Sequence, residues 1–543
     1  MTRSYLALAG FLLVLLAQLF TLQNCATPSS PTGGERDTLG PVLIVEETTP
    51  NFQTNFKPEE IVLTFDEWVE QDQKHQIIIS PPLELGEDNQ PYLRRRSLVI
   101  PLKGLELRDS VTYVVNIGSA IKDLHEGNPT KNLRFVFATG PVLDSASVTG
   151  TLVEGFSGEP LDKATFTLYG NLADTATTTE NPTYFAQTDE QGQFTVYNIR
   201  PGRYRAVGLV RNPGATNYFV DLSGTFKPLS VGFIDTIITV ADGNNEVGSI
   251  RLSPVPVRTK VLGVDSTDFG QLKIHMSQPA ASIDIITGRE DYLRYNDKDT
   301  LKLFYRSPAR DTLYLGRDTT FYDTLVFAGS VEPPATPLTL LQGPPGRLNP
   351  VEGLVYLFNH PLEAVDTALI VLTETADTLA TPRAYQYALD TLYPGTLRLS
   401  TGWRANTSYD LSIFPGALTD WVGGINEDTL RKTLIADSPE KYGNLTLKIG
   451  NLDTTLNYVV RLLDKDKVVP GTERYINEQA NYQVVYRGLK PATYRAEMIY
   501  DTKRNRRYDG GDFRLGRQPE EVRRFELEAL RANWEVEEEI RLE

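Results

Sequence analysis

Cysteine is almost missing from this chain: Cys25 is the only one in 543 residues. A single thiol excludes intrachain disulfides, so each folded unit must be held by its own apolar packing. Histidine is nearly as scarce. His75, His125, His275 and His360 lie far apart, without the His-x-x-x-His or His-Glu spacing of a zinc site, and each reads as a surface or strand-end residue. Positive charge is outnumbered, with 54 Lys and Arg against 70 Asp and Glu and a formal net charge of −16. That balance excludes the basic footprint needed for nucleic acid or anionic headgroups. After the first twenty residues no apolar run approaches the roughly 20 residues that span a bilayer. Helical periodicity is rare too. Only the end, "PEEVRRFELEALRANWEVEEEIRLE", admits a helix, and its "WEVEEEIRL" alternates, so Trp534–Leu542 reads as strand. The serine of "GFSG" (155–158) lacks the spacing of a nucleophile elbow. Nothing here points to an enzyme.

What the chain does have begins at its N-terminus. Thr2 and Arg3 precede "SYLALAGFLLVLLAQLF", the layout of an export signal. The run is interrupted by Ser4, Tyr5 and Gln18 and turns polar at Thr21, too short for a membrane span in its own right. It ends Leu22-Gln23-Asn24-Cys25 and passes into a Pro/Ser/Thr/Gly stretch. This resembles a bacterial lipoprotein signal, although Asn24 departs from the small residue usual before the cysteine. The resemblance implies that residues 1–24 are removed and that Cys25 is diacylated, with 25–40 as a tether. Two acyl chains suffice for stable anchoring.

The remainder is a succession of short alternating strands bounded by Pro, Gly, Asn and Asp, which predicts an all-β chain of tandem β-sandwiches. Residues 41–140 carry "IVLTFDEWV", "VTYVVNIGSAIKDLHEGNP" and "LRFVFATG", with room for about seven strands, as in an immunoglobulin-like sandwich. Together with the preceding tether, these motifs resemble the bacterial Ig-like domain of a family of Bacteroidota outer-membrane lipoproteins. Residues 145–255 resemble a prealbumin-like or carboxypeptidase-regulatory-like sandwich, a module without activity of its own.

Both patterns return. "NIRPGRYRAVGL" (198–209) recurs as "GLKPATYRAEMI" (488–499), aligning Pro201, Tyr204, Arg205 and Ala206 with Pro491, Tyr494, Arg495 and Ala496. Phe65 and Asp66 recur as Phe358 and Asn359, Tyr113 as Tyr409, and Asp123 as Asp420. The expected organisation is therefore a second Ig-like unit at 340–438 and a second prealbumin-like unit at 439–543. Between the copies, 256–339 reads as a hairpin-rich β unit of no assigned family.

Two further patterns bear on chemistry. In "DTKRNRRYDGGD", Asp501, Asn505, Asp509 and Asp512 stand at positions 1, 5, 9 and 12 of a calcium-loop frame. Lys503, Arg504 and Arg506 oppose a divalent ion, and Arg506 stands where the turn glycine belongs, so the favoured alternative is an ordered loop whose arginines pair with those carboxylates. The recurring "DTL" resembles the Bacteroidota O-glycosylation acceptor, which would mark Thr38, Thr300, Thr312, Thr324, Thr378, Thr391 and Thr429; a turn followed by a strand start explains it equally. These readings together predict a non-enzymatic lipoprotein of the outer membrane, in either leaflet, needing no cofactor. It would serve as a scaffold or accessory subunit of an envelope complex for outer-membrane protein assembly or secretion, with an envelope protein as partner. The other reading is a surface protein that adheres to glycan or peptide.

Overall fold

In the computed structural model the described residues are 37–542, save 73–76, 84, 132, 212–227, 256–258, 281–282, 287–291, 307–309, 318–319, 329–336, 377–378 and 391–394. They are strands and turns, with one four-residue α-helix, Ala176–Thr179, and a few single 3-10 turns. Among the described residues five large apolar cores are each drawn from one stretch of sequence, and two small clusters join distant stretches, Val207 and Val231 with Phe513, and Val459 and Val522 with Phe156.

The first core sits between the sheet of Glu60–Thr64, Ser97–Pro101 and Tyr92–Arg94 and the sheet of Ile78–Ser80, Thr112–Gly118 and Leu133–Ala138. A short pair, Val69–Gln71 with Ile121–Asp123, closes one end, so eight strands stand where about seven were expected. Alternation places Ile61, Leu63, Tyr113, Val115, Phe135 and Phe137 inward, all essentially without exposure. Each such side chain contributes about 1.5–3 kcal/mol on leaving water, and no disulfide is needed.

The fourth core repeats this plan. Leu354–Phe358, Thr396–Ser400 and Gln386–Leu389 form one sheet, Ile370–Ala376, Ser408–Ile413 and Leu430–Ala436 the centre of the other, and Leu362–Val365 pairs with Leu418–Asp420. The repeated residues do the same work in both copies. Tyr113 Oη accepts from the Arg108 amide at 2.9 Å, and Tyr409 Oη from the Arg404 amide at 2.8 Å. Asp66 Oδ1 accepts from the Val42 amide and Asn359 Oδ1 from the Thr339 amide, pinning the strand that leads in. Asp123 and Asp420 each gather backbone amides of the following turn.

The second and fifth cores are likewise copies. In the second, Ala146–Glu154 lies between antiparallel Gln193–Ile199 and parallel Asn244–Pro254; in the fifth, Gly443–Gly450 lies between antiparallel Tyr482–Leu489 and parallel Glu535–Arg541. The facing sheets are built on Gly202–Val210 and on Ala492–Asp501. The repeated Tyr-Arg pair explains its own recurrence. Tyr204 and Tyr494 donate to carbonyls four residues back, Arg200 at 2.7 Å and Lys490 at 2.6 Å, fixing the turn. Arg205 and Arg495 reach across to Asp174 and Asp466 and to the carbonyls of Leu172 and Lys465. At the C-terminus both Val522–Leu530 and Glu535–Arg541 are strands. The short helix after Pro519 that the sequence also allowed does not form.

The third core lies between a four-stranded sheet, Val261–Asp265, Gln271–Met276, Thr300–Tyr305 and Tyr292–Asp297, and a three-stranded one, Asp284–Ile286, Arg310–Arg317 and Thr320–Ala328. It abuts the fourth. Gly270, at φ +75°, would carry a Cβ 2.2 Å from Val422, Arg306 pairs with Glu363 at 2.6 Å and lies over the Trp421 ring, and Phe304 meets the His360 ring edge-on.

Candidate interaction sites

The loop after Ala492–Asp501 brings together three of the four residues of the calcium frame. Asp501 Oδ1 accepts from the Asn505 amide (3.0 Å) and Oδ2 from the Arg506 amide (2.7 Å). Asn505 Nδ2 donates to Asp509 Oδ2 at 2.6 Å, and Lys503 Nζ stands 3.4 Å from Asp509 Oδ1. Glu520, absent from the sequence reading, accepts from the Thr502 amide and hydroxyl and from the Asp509 amide. Burial, and then the neighbouring Asp509 charge, raise its pKa against the donors that lower it. Asp512 turns away to cap the single turn Phe513–Leu515. Among the described residues no three His, Cys, Asp or Glu are grouped to hold a metal. The expected arginine pairing is corrected in detail. An ammonium and backbone amides serve Asp501 and Asp509, while Arg504 donates to the Thr455 carbonyl, Arg506 lies over Tyr475 and Arg507 reaches Asp284. Arg504 and Arg506 both adopt positive φ, 58° and 62°, and Arg506 does so at the position where the frame calls for glycine.

This loop packs on the second core's unit, hundreds of residues earlier. Tyr508 meets Phe156 edge-on at 4.8 Å, and Phe513 meets Phe233 at 5.5 Å. Ser253 Oγ accepts from the Gly511 amide (2.8 Å), and Gln518 Nε2 donates to the Phe233 carbonyl and to Asp235 (2.9 Å each). Burial pushes the Tyr508 hydroxyl up to about 12. Arg524 ties the contact to the fifth core. It grips buried Glu497, which Arg461 holds from the other side, donates to the Ser157 carbonyl, and lies 5.1 Å over the Phe156 ring. Ser157 thus sits in a turn that serves packing. Sequence reasoning missed Phe156, Phe513, Gln518 and Arg524. The available signal was aromatic residues in turns, where polar ones are the rule.

A cleft of about 570 Å³ lies between the first and second cores, lined among others by Pro81, Arg108, Asp144, Glu180, Asn181 and Arg200. Asp144 marks the junction, its amide donating to Thr112 Oγ1 and its carbonyl accepting from Asn198. The mouth is mixed in charge, and the Oδ1 of Asn181 is buried without a partner.

The histidines divide. His125 is exposed on the Asp123 turn and His275 bonds Thr300, but His360 is 4 % exposed, with Nδ1 2.9 Å from Asp420 Oδ2. It stands just past the end of Leu354–Phe358, as a strand-end residue, but buried, with the third core's Phe304 against its ring. His75, Cys25, Thr378 and Thr391 lie outside the described residues. Thr38 and Thr324 are exposed, and Thr300, Thr312 and Thr429 are half-buried. Asp311 and Asp323 stand inside strands, so a turn does not explain "DTL" there.

No curated protein matches the chain. Among solved structures, the major pilin subunit BcpA of Bacillus cereus is 11 % identical over 73 % of this chain and 99 % of its own (TM-score 0.13). The FN1–FN3 domains of chicken CNTN1 are 10 % identical over 50 % of this chain and 99 % of theirs (TM-score 0.13). The S-layer protein rSbsC(31-844) is 10 % identical over 81 % of this chain and 64 % of its own (TM-score 0.14). Scores this low carry nothing about function. The sequence of residues 38–139 matches the family described as Bacterial Ig-like domain, the segment that holds the first core.

Proposed function

We propose that the chain is a non-enzymatic scaffold of the bacterial cell envelope, lipid-anchored at Cys25 in the outer membrane, and an accessory subunit of a complex that assembles or secretes outer-membrane proteins. The observation that carries this reading is the clasp between the second and fifth units. It closes a chain of β units back on itself through two aromatic pairs and an Arg-Glu-Arg node centred on buried Glu497. Four of the buried carboxylates, Glu374, Glu497, Asp501 and Asp509, are engaged by guanidinium, ammonium or backbone donors that hold the fold. Such an arrangement suits presentation of fixed surfaces.

Detergent extraction of the host's outer membrane, followed by affinity pull-down with a Cys25→Ala control, tests the reading. A stoichiometric outer-membrane partner that is lost with Cys25 supports it; recovery of the lipidated protein alone overturns it. A second reading is favoured by the polar cleft beside Asp144, whose size fits a small ligand: a surface protein that binds glycan or peptide there. Saturable binding of a sugar or peptide array member, abolished by Arg200→Ala, would establish that reading instead.

A further inference from the structure

The end of the first unit where the chain enters it carries an apolar patch. Trp68 is 55 % exposed and Leu124 50 %, and the Leu124 amide donates to the Trp68 carbonyl at 2.9 Å, so the two turns lie side by side. The entering segment crosses the same end. Asn128 Nδ2 donates to the Asp37 carbonyl, and the Val42 amide to Asp66 Oδ1, which brings Leu39 and Val42, 73 % and 60 % exposed, beside the two turns. Isolated exposed apolar residues are ordinary, but two on adjoining turns and two on the segment beside them form a surface that gains by being covered.

What covers it follows from the chain upstream and from the charge around it. Residues 25–36 span at most about 40 Å when extended and about 20 Å as a coil, so this end stays within that distance of whatever holds Cys25. Asp37, Asp66, Glu67 and Glu126 rim the patch, with Asp123 buried beneath it. Their proximity is visible in Glu67, whose pKa is raised by burial first and then by Asp123, Asp66, Asp37 and Glu126. An acidic rim repels anionic headgroups and leaves a neutral interface accessible. We infer that the Trp68–Leu124 tip seats in a zwitterionic lipid interface, a second membrane contact that orients the molecule with its other units directed away from the bilayer. Tryptophan suits this depth, its ring apolar and its N–H polar. The inference rests on the lipid-anchored reading proposed above.

The test uses the acylated full chain in vesicles of phosphatidylcholine and phosphatidylethanolamine containing acyl-brominated lipid, which quenches tryptophan at the interface. Subtracting the emission of Trp68→Phe isolates Trp68 from the other three tryptophans. Seating at interfacial depth predicts that Trp68 emission falls roughly twofold. Leu124→Glu should restore it with the protein still on the vesicles, and phosphatidylglycerol should weaken the quenching in a salt-reversible way. A retained protein with unquenched Trp68 overturns the inference, as does shielding of Trp68 only on addition of envelope proteins, which would assign the tip to a protein partner. Failure of the native chain to stay on vesicles refutes the anchor itself, a result distinguishable from the other two.

Discussion

Truncating Phe156 should open the clasp between the second and fifth units by an amount that the geometry sets. The ring meets Tyr508 edge-on at 4.8 Å and lies 5.1 Å beneath the Arg524 guanidinium. An aromatic pair of this kind contributes about 1 kcal/mol beyond area burial, and the cation a further ~0.5–1 kcal/mol. With the apolar area lost at ~25 cal/mol per Å², Phe156→Ala should cost the closed form about 2–3 kcal/mol. Ser253 supplies the readout, being 3 % exposed with its Oγ bonded to the Gly511 amide. In a Cys25→Ala background, a Ser253→Cys thiol is alkylated only when the clasp opens. Phe156→Ala should then speed alkylation about 30- to 150-fold, at a factor of ten per ~1.4 kcal/mol. Tyr508→Ala should act in the same direction, and the double variant should fall short of the product of the singles by about fivefold, the ~1 kcal/mol of the pair. Rates that multiply to within about twofold, the scatter expected of independent sites, would refute the contact.

Glu497→Gln should destabilise the fifth unit by about 3–5 kcal/mol, because it leaves Arg461 and Arg524 facing one another around a neutral amide; the urea midpoint of that unit checks it. Burial pushes the Asp123 carboxyl up, but four backbone amides outweigh it and bring its pKa down to about 2 from 3.8. A depressed folded pKa gives stability that is present above about pH 4 and lost as pH falls toward 2, so Asp123→Asn should flatten the acid limb of the first unit's stability profile between those values. Calcium should leave the melting temperature unchanged, since Lys503 and backbone amides already serve Asp501 and Asp509; a rise on adding calcium that a chelator reverses would show that the loop takes an ion. Gly270→Ala places a Cβ 2.2 Å from Val422 Cγ1, at a positive φ as well, and should loosen the third unit from the fourth, read as faster proteolysis between them.

The strand content was legible because alternation of apolar with polar residues is a local signal, and Leu445-Thr446-Leu447-Lys448-Ile449 shows it within five residues. The duplication was legible for a related reason: the Tyr204-Arg205 and Tyr494-Arg495 pairs perform a local task at fixed spacing, so their chemistry leaves a repeated string. The end of the chain was ambiguous because Val522–Leu530 has no clean period. Its pairing with Ala492–Asp501 decides for strand, and that pairing is tertiary. The clasp was invisible because its partners are far apart, 367 positions between Ser157 and Arg524, and no spacing rule reaches so far. The burial of His360 was invisible for the same reason: the ring packed against it, Phe304, belongs to another unit. In the 501–512 loop, which donor serves which carboxylate depends on backbone direction, which the string of residues does not display.

The second and fifth units are held together by the loop that carries Tyr508, Gly511 and Phe513, and a disulfide tests this most directly. A Cβ on Gly510 would lie 3.7 Å from the Ser253 Cβ, close to the mean separation of about 3.8 Å in natural disulfides. In the Cys25→Ala background, Ser253→Cys with Gly510→Cys should form an intramolecular bridge nearly completely on mild oxidation, visible as a mobility shift that reductant reverses. Two free thiols, or bridges only between molecules, would contradict the account.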